Sequence, residues 1–250
     1  MNSKNDTTTA PPDSAGFDVR EFARTAHGNH RGTLDLDSLA DEPLDAESVR
    51  LVRALRDMER TTLHRVRDLL VTATHKDARV TAFLTTWMFE KFWIADALDA
   101  VLDASPAARD LPASAGPARR VWAERRERRG PVLRSLAANF TGTQIVAEHV
   151  TTGLVDEWIT QAAYRRLAGA SCAMASVIDP VVEIKHRHIR FLAAEAERRL
   201  GYSARARRIT NRALRHSAWP RGGGGRAAGR GPSEAAKLLS WERRGGRWAP

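Results

Sequence analysis

Four charged residues occupy positions where a helical protein would normally place apolar side chains. They are Glu59, Lys91, Glu157 and Lys185. Each lies in a different segment whose apolar residues recur at steps of three and four, the period of one helix face in a bundle. An ionised group on such a face is costly unless it is paired or bound to a metal. Two acids and two bases on four helices therefore predict one shared site, built either from ion pairs or around metal.

Lys91 shows the pattern most clearly. The inward series of segment 77–103 is Val80, Leu84, Trp87, Lys91, Ile94, Leu98 and Val101. A lysine at the edge of a core can extend its ammonium into water. The central position of Lys91 between Trp87 and Ile94 favours burial over that alternative.

Apolar periodicity and helix-boundary residues predict the elements that must position these groups. The core helices are expected at about 46–72, 77–104, 141–169 and 180–200, with a further helix through 203–216. Asp45 is a candidate N-cap for the first, and Pro180 is placed in the first turn of the fourth, after a crossing at 171–179. No long strand-like alternation occurs. The predicted fold class is therefore all-α.

Other segments surround this core. Residues 17–45 are expected to form a short helix or an ordered lead-in, and Arg119–Arg129 an additional basic helix between core helices two and three. Residues 1–16 are expected to be disordered, and 217–250 to be a low-complexity tail rich in Gly and Arg. These boundaries assign the helical domain to residues 17–216.

Composition sets the broad class. A chain of 250 residues with 42% hydrophobic content can bury one large core. It has no uncharged apolar stretch of about 18 residues, and its N-terminus lacks a basic-then-apolar signal pattern, so we expect no membrane span and no secretion. A single cysteine, Cys172, fits a reducing compartment. Together these features predict a cytoplasmic protein.

The positive charge is concentrated near the C-terminus. The whole chain has a formal net charge of +10, and residues 201–250 contain 12 Lys and Arg against 2 Asp and Glu. Arginine, glycine and three tryptophans give the end of the chain the composition of an unstructured RNA-binding segment. The alternatives are a solvated tail without a dedicated partner, or a segment that is not under selection. Nucleic-acid binding is accordingly expected through residues 201–250 only.

Three segments carry a family resemblance. Residues 87–98, 157–168 and 185–188 resemble the second, third and fourth core helices of bacterial ferritin-like proteins related to acyl carrier protein desaturases; they read WMFEKFWIADAL, EWITQAAYRRLA and KHRH. The resemblance covers roughly residues 46–200. It implies a ferritin-like antiparallel helical bundle, which in that family holds two iron ions.

The family's ligand pattern is only partly kept. Two helices of such a bundle each supply one Glu, and the other two each supply Glu-x-x-His. By this resemblance Glu59 and Glu157 match the single glutamates, and His188 matches the fourth-helix histidine. The remaining ligand positions are occupied by Lys91, Ile94 and Lys185.

Lysine and isoleucine cannot serve as ordinary metal ligands, because an ammonium has no lone pair and isoleucine has no donor atom. His188 is then expected to be a hydrogen-bonded structural residue. Glu90 and Glu183 lie beside lost ligand positions and could replace them after a small helix rotation. Without such replacement, two Glu and two Lys balance one another without metal.

Three functional hypotheses follow. The first is a ferritin-like protein with a buried Glu/Lys cluster, without a metal or other cofactor, which acts non-catalytically in a scaffold or interaction role. The second is a ferritin-like oxidase or hydroxylase with unusual ligands for iron or manganese. The third is nucleic-acid binding through the basic C-terminal region. The partner in the first case would be another protein or a second copy of the chain in a homodimer.

Overall fold

The computed structural model describes residues 16–110 and 142–216, and these ranges contain helices and connections but no strand. The all-α prediction is therefore confirmed. In chain order the α-helices are α1 Val19–Arg24, α2 Leu36–Asp41, α3 Ala46–Leu70, α4 Ala78–Ala104, α5 Pro106–Asp110, α6 Ile145–Ala168, α7 Cys172–Tyr202 and α8 Ala204–His216. No helix in the described ranges has the combination of length and apolarity needed to cross a membrane.

Side-chain caps fix where three of the four long helices begin. The Asp45 carboxylate accepts a hydrogen bond from the Ser48 N–H at 2.7 Å, as the sequence predicts for the start of α3. Asp77 caps α4 and Ser171 caps α7 in the same manner. A short 3₁₀ turn, Ala73–Lys76, connects α3 to α4, which runs back along it; α6 and α7 form the second closely packed pair.

The predicted start of the fourth core helix is wrong. α7 begins at Cys172, so residues 171–179 are not a crossing and Pro180 lies inside the helix. Met174, Val177 and Ile178 continue the buried stripe through this region. Pro180 is exposed, so the helix loses one hydrogen bond on its solvent side, where water can take the place of the missing N–H donor.

Residues 17–45, the lead-in to the first core helix, contain two short helices, α1 and α2, separated by a 3₁₀ turn at Arg31–Thr33. Phe22 of α1 is buried and stacks on Phe83 of α4. The lead-in therefore covers a face of α4 that would otherwise meet water. The predicted disordered segment 1–16 apart from its last residue, the basic helix Arg119–Arg129 and the tail 217–250 lie outside the described residues.

The core consists of two apolar clusters with charged side chains between them. One cluster includes Leu55, Ile94, Tyr164, Val181 and Ile184; the other includes Val66, Trp87, Leu154, Phe191 and Leu192. Along every long helix, a charged residue falls at the transition from one cluster to the other. The four residues singled out in the sequence therefore share one level of the bundle.

Candidate functional site

Glu59 of α3, Lys91 of α4, Glu157 of α6 and Lys185 of α7 form a closed group, called here the central cluster. Lys91 Nζ lies 2.8 Å from Glu59 Oε2 and 2.6 Å from Glu157 Oε1. Lys185 Nζ lies 2.5 Å from Glu59 Oε1 and 3.0 Å from Glu157 Oε2. Each ammonium thus bridges both carboxylates, and the formal charge of the group is zero. The expected buried salt bridges are confirmed.

The central cluster is deeply buried. The Lys91 side chain is 4% exposed, and the Glu59, Glu157 and Lys185 side chains are 0% exposed. Charges removed from water to this degree need close opposite charges to be tolerated. In this conformation a substrate has no direct approach to the four groups.

Neutral side chains complete the hydrogen bonding. Trp87 Nε1 donates to Glu157 Oε1 at 2.9 Å, and Tyr164 OH donates to Glu59 Oε1 at 3.1 Å. The ammonium groups of Lys91 and Lys185 lie 4.7 Å and 5.4 Å from the ring centroids of Trp87 and Tyr164. Each aromatic side chain therefore stabilises both an anion and a cation, because its N–H or O–H donates to a carboxylate and its ring face contacts an ammonium group.

Helix spacing explains these contacts. Trp87 and Lys91 are four residues apart on α4, which places them one turn apart on the same face. Thr160 follows Glu157 by three residues on α6, and its hydroxyl accepts a hydrogen bond from Lys185 Nζ at 3.2 Å. The other two contacts, Lys91 to Glu59 Oε2 and Lys185 to Glu157 Oε2, are close ion pairs.

The electrostatics keep both carboxylates ionised. Burial alone would raise the pKa of Glu59, but the combined attraction of Lys185 and Lys91 outweighs it and lowers the pKa. Burial likewise opposes ionisation of Glu157, yet the two lysines and His188 hold its pKa well below the ordinary value. Both groups are therefore carboxylates at neutral pH.

The pKa values of the two lysines are shifted in opposite directions. Burial is the largest influence on Lys91, and its pKa falls below the ordinary value despite the attraction of Glu157 and Glu59. For Lys185 burial is also the largest single influence, but the two carboxylates together outweigh it and raise its pKa. Burial, reinforced by Glu59, raises the pKa of Tyr164 well above its ordinary value, so its hydroxyl remains a donor. Of the two ammonium groups, that of Lys91 has the lower pKa and loses its proton more readily.

A second buried group adjoins the central cluster through His188. His188 Nε2 lies 2.6 Å from Glu90 Oε2, and His188 Nδ1 lies 3.5 Å from Glu157 Oε2; both side chains are fully buried. Glu90 Oε1 also accepts a hydrogen bond from the His27 N–H at 2.9 Å and lies 3.6 Å from Arg187. The structure thus pairs the residual histidine with Glu90, a pairing that the sequence analysis missed.

The other two sequence candidates lie apart from this arrangement. Ile94 is fully buried in an apolar cluster and offers no donor atom. The Glu183 side chain is 78% exposed and lies 3.3 Å from His186 on the surface of α7. Its outward position contradicts the hypothesis that Glu183 replaces a lost ligand, because the fourth helix presents Lys185 to the interior instead.

The donor set does not suit a di-iron centre. Within residues 16–110 and 142–216, no group of three or more His, Cys, Asp or Glu side chains is arranged to hold a metal ion. Glu59 and Glu157 are each held by two ammonium groups, which repel a cation at that point. The local chemistry is that of mutual charge neutralisation.

Comparisons of the sequence with protein-family models, with curated proteins and with solved structures find no match. The interpretation of the central cluster therefore depends on its own contacts, burial and charge.

Proposed function

We propose that this chain is a ferritin-like protein in which the central cluster stands in place of a di-iron site. In this proposal the protein is metal-independent and non-catalytic, and it acts as a structural scaffold or through interactions with other proteins. The single observation that carries the proposal is that each of two buried ammonium groups contacts both buried carboxylates. The lysines supply from within the chain the positive charge that bound metal would otherwise supply.

The charge balance explains why two changes would occur together. A bundle with four inward glutamates is neutral only when cations bind, and buried carboxylates without partners cost several kcal/mol each. Exchanging one glutamate for Lys would leave an incomplete balance, whereas exchanging two gives a formal charge of zero. Lys91 and Lys185 occupy two different helices on opposite sides of the Glu59–Glu157 pair, as such an exchange requires.

A scaffold role is supported by the position of the central cluster between two apolar clusters. A long helix that shifted by one turn, about 5.4 Å, would carry its charged residue into apolar surroundings. The two opposite charges that it contacts would then each lose one of their two partners, and the group would no longer be neutral. The central cluster therefore fixes the register of α3, α4, α6 and α7, which is a known use of buried polar groups.

The oxidase alternative needs iron or manganese at Glu59, Glu157 and His188. Both carboxylates already bind two ammonium groups, and His188 Nε2 is engaged by Glu90. A metal would have to displace these partners and then share its site with two positive charges. We therefore place this alternative second.

Metal analysis tests the proposal directly. Protein purified after growth with added iron and manganese is expected to contain neither metal in stoichiometric amount. Its melting temperature is expected to be unchanged by a chelator or by added metal, since no metal binding contributes to folding. Two iron or manganese ions per chain in the unmutated protein would overturn the proposal and favour the oxidase.

A restoration variant gives the positive arm of the test. The triple change Lys91→Glu, Ile94→His and Lys185→Glu would rebuild a set of four carboxylates and two histidines. We expect this variant to bind iron and to gain melting temperature on metal addition. The matched control, Lys91→Met with Lys185→Met, removes both ammonium groups without adding ligands. If that control binds two metal ions as well, the added carboxylates and histidine are irrelevant and the ligand correspondence is wrong.

A further inference from the structure

Helix α8 presents four arginines on one exposed face. Arg205, Arg208, Arg212 and Arg215 follow one another at steps of three, four and three residues, so they line one side of the helix over about 15 Å. These four residues are called here the arginine face. The opposite side of α8 is buried against the bundle through Ala206, Thr210 and Leu214.

The charge of this face is uncompensated by its surroundings in the described parts of the chain. Residues 201–216 contain five arginines and no acidic residue. None of the four arginines forms an ion pair with another described residue, whereas Arg198 and Arg199 on the preceding helix both bind Glu195. Like charges three and four residues apart weaken a helix by a few tenths of a kcal/mol per pair. Ion pairs among the described residues therefore do not account for this row of arginines.

Arginine chemistry points to phosphate. The planar guanidinium binds phosphate oxygens with two parallel hydrogen bonds, and the arginine face presents four of these groups. A linear row of four such groups matches a ligand whose anionic groups repeat along a line. A polynucleotide backbone is such a ligand, and it gains affinity with each phosphate that an arginine neutralises.

The buried side of α8 argues against a membrane as the ligand. An amphipathic helix that binds a bilayer inserts its own apolar face below the headgroups. In α8 that face is already packed on α6 and α7, and among the α8 residues whose exposure is described, the large exposed side chains are all arginines. A bilayer would gain surface charge contacts but no apolar burial.

The sequence that follows α8 favours a single-stranded ligand. Residues 217–250 contain seven basic residues and two acidic residues, together with Trp219, Trp241 and Trp248. Aromatic rings stack on unpaired bases, and basic residues follow the backbone. We propose that the arginine face of α8 binds the phosphate backbone of single-stranded nucleic acid without sequence preference. This inference is independent of the function proposed for the central cluster.

The test measures binding of the full chain to a fluorescently labelled 20-nucleotide single-stranded RNA of mixed sequence. The test variant changes Arg205, Arg208, Arg212 and Arg215 to Gln. The matched control changes four other exposed arginines, Arg20, Arg50, Arg67 and Arg190, to Gln, so both variants lose four positive charges. Circular dichroism melts verify that all proteins are folded.

We expect the α8 variant to bind at least about tenfold more weakly at 100 mM salt. The slope of log affinity against log salt concentration is expected to fall by roughly 3, because each neutralised phosphate of a single strand contributes about 0.7. The control is expected to change by less than about twofold. Equal weakening in the two variants would overturn the proposal, since net charge rather than the arginine face would then set the affinity.

Two further ligands distinguish the competing explanations. Vesicles containing phosphatidylserine and a 20-residue polyglutamate peptide are titrated with the same proteins. Weaker binding of both than of the RNA would support the proposal. Vesicle or polyglutamate binding as tight as RNA binding, and lost in the α8 variant, would overturn it in favour of a membrane surface or an acidic protein segment.

Discussion

The molecule solves the problem of a buried carboxylate in two different ways. In the central cluster, Glu157 is bound by two lysines whose side chains are 0% and 4% exposed. Near the end of α7, Glu195 is just as deeply buried, but its partners are Arg79, Arg198 and Arg199, which are 26%, 12% and 11% exposed. Both sites bury the anion. Only the central cluster also buries the cations.

The difference shows where charge balance is obligatory. Arginine is long and forked, so Arg79 and Arg199 can hold Glu195 while their guanidinium groups keep part of their hydration. Arg199 also binds Asp77, and this outer group has three arginines against two carboxylates. The central cluster is almost inaccessible to water and has a formal charge of zero. A site with closed ion pairs should therefore respond more strongly to the loss of one partner than a site whose cations reach the surface.

The largest effect is expected from Lys91→Met. The change preserves much of the side-chain volume but leaves two buried carboxylates with one ammonium, so we expect a loss of about 3–5 kcal/mol in the free energy of unfolding. Denaturant melts of the two proteins measure it. Lys76→Met, the same change at an exposed lysine, is the control and should cost less than about 0.5 kcal/mol. A loss below about 1 kcal/mol for Lys91→Met would contradict the burial of its ammonium.

The second largest loss of stability is expected when the pH is lowered and the carboxylates of the central cluster are protonated. The pKa values of Glu59 and Glu157 are lowered in the folded protein, so the unfolded chain binds more protons as the pH falls. The stabilisation is fully present above the ordinary carboxyl pKa of 4.5 and is lost as the pH falls toward the folded-state values. Each unit of lowering corresponds to about 1.4 kcal/mol.

Urea melts at a series of pH values from 7 to 3 measure this loss. Glu157→Gln keeps an acceptor for Trp87 but cannot ionise, so its stability should fall less steeply between those limits. Equal slopes in the two proteins would show that Glu157 has an ordinary pKa when folded.

A compensating change should recover part of the loss at Lys91. Adding Glu157→Gln to Lys91→Met leaves Glu59 and Lys185 as a neutral pair and preserves the acceptor for Trp87. We expect the double variant to be more stable than Lys91→Met by at least about 1 kcal/mol, a coupling typical of residues in one charged network. Additive losses, determined from denaturant melts of both single variants and the double, would show that charge balance is not what stabilises this site.

The smallest loss of stability is expected in the outer group around Glu195. Arg79→Gln leaves Glu195 with Arg198 and Arg199, so we expect a loss of about 1 kcal/mol or less, reduced further by added salt. The cost of Lys91→Met, in contrast, should be nearly independent of salt because both its partners are buried. Melts at low and high sodium chloride compare the two. A loss at Arg79 as large as that at Lys91 would mean that solvent access to the cation makes no difference.

The sequence predicts the central cluster because its four members interrupt clear apolar stripes. It does not predict the pairing of Glu90 with His188, and α4 shows why. A second series, Phe83, Trp87, Glu90, Ile94, Ala97 and Val101, also runs at steps of four and three, and all of its members are buried. Two overlapping stripes mean that α4 is covered on two sides. The second cover is the lead-in with α1, whose position depends on contacts that residue patterns within one helix do not contain.

The fourth core helix illustrates a different limit. Its C-terminal end at Tyr202 lies close to the prediction, but the predicted start gave Pro180 more weight than the buried residues before it. Proline removes one hydrogen bond, while Met174, Val177 and Ile178 gain their burial only if the helix continues toward its N-terminus. The helix therefore continues through Pro180, because burial of these three side chains stabilises the fold by more than the one lost hydrogen bond costs.

The scarcity of lysine gives the central cluster a chemical signature. The chain has five lysines, and two of them, Lys91 and Lys185, have side chains that are almost inaccessible to solvent. Amine-reactive reagents attack only neutral amines that they can reach, so in the native state both should be protected while the exposed Lys76 reacts. Acylation at Lys91 and Lys185, located by peptide mass mapping, would then require opening of the bundle itself. The rate at which these two amines are acylated would report how often the bundle opens around the central cluster.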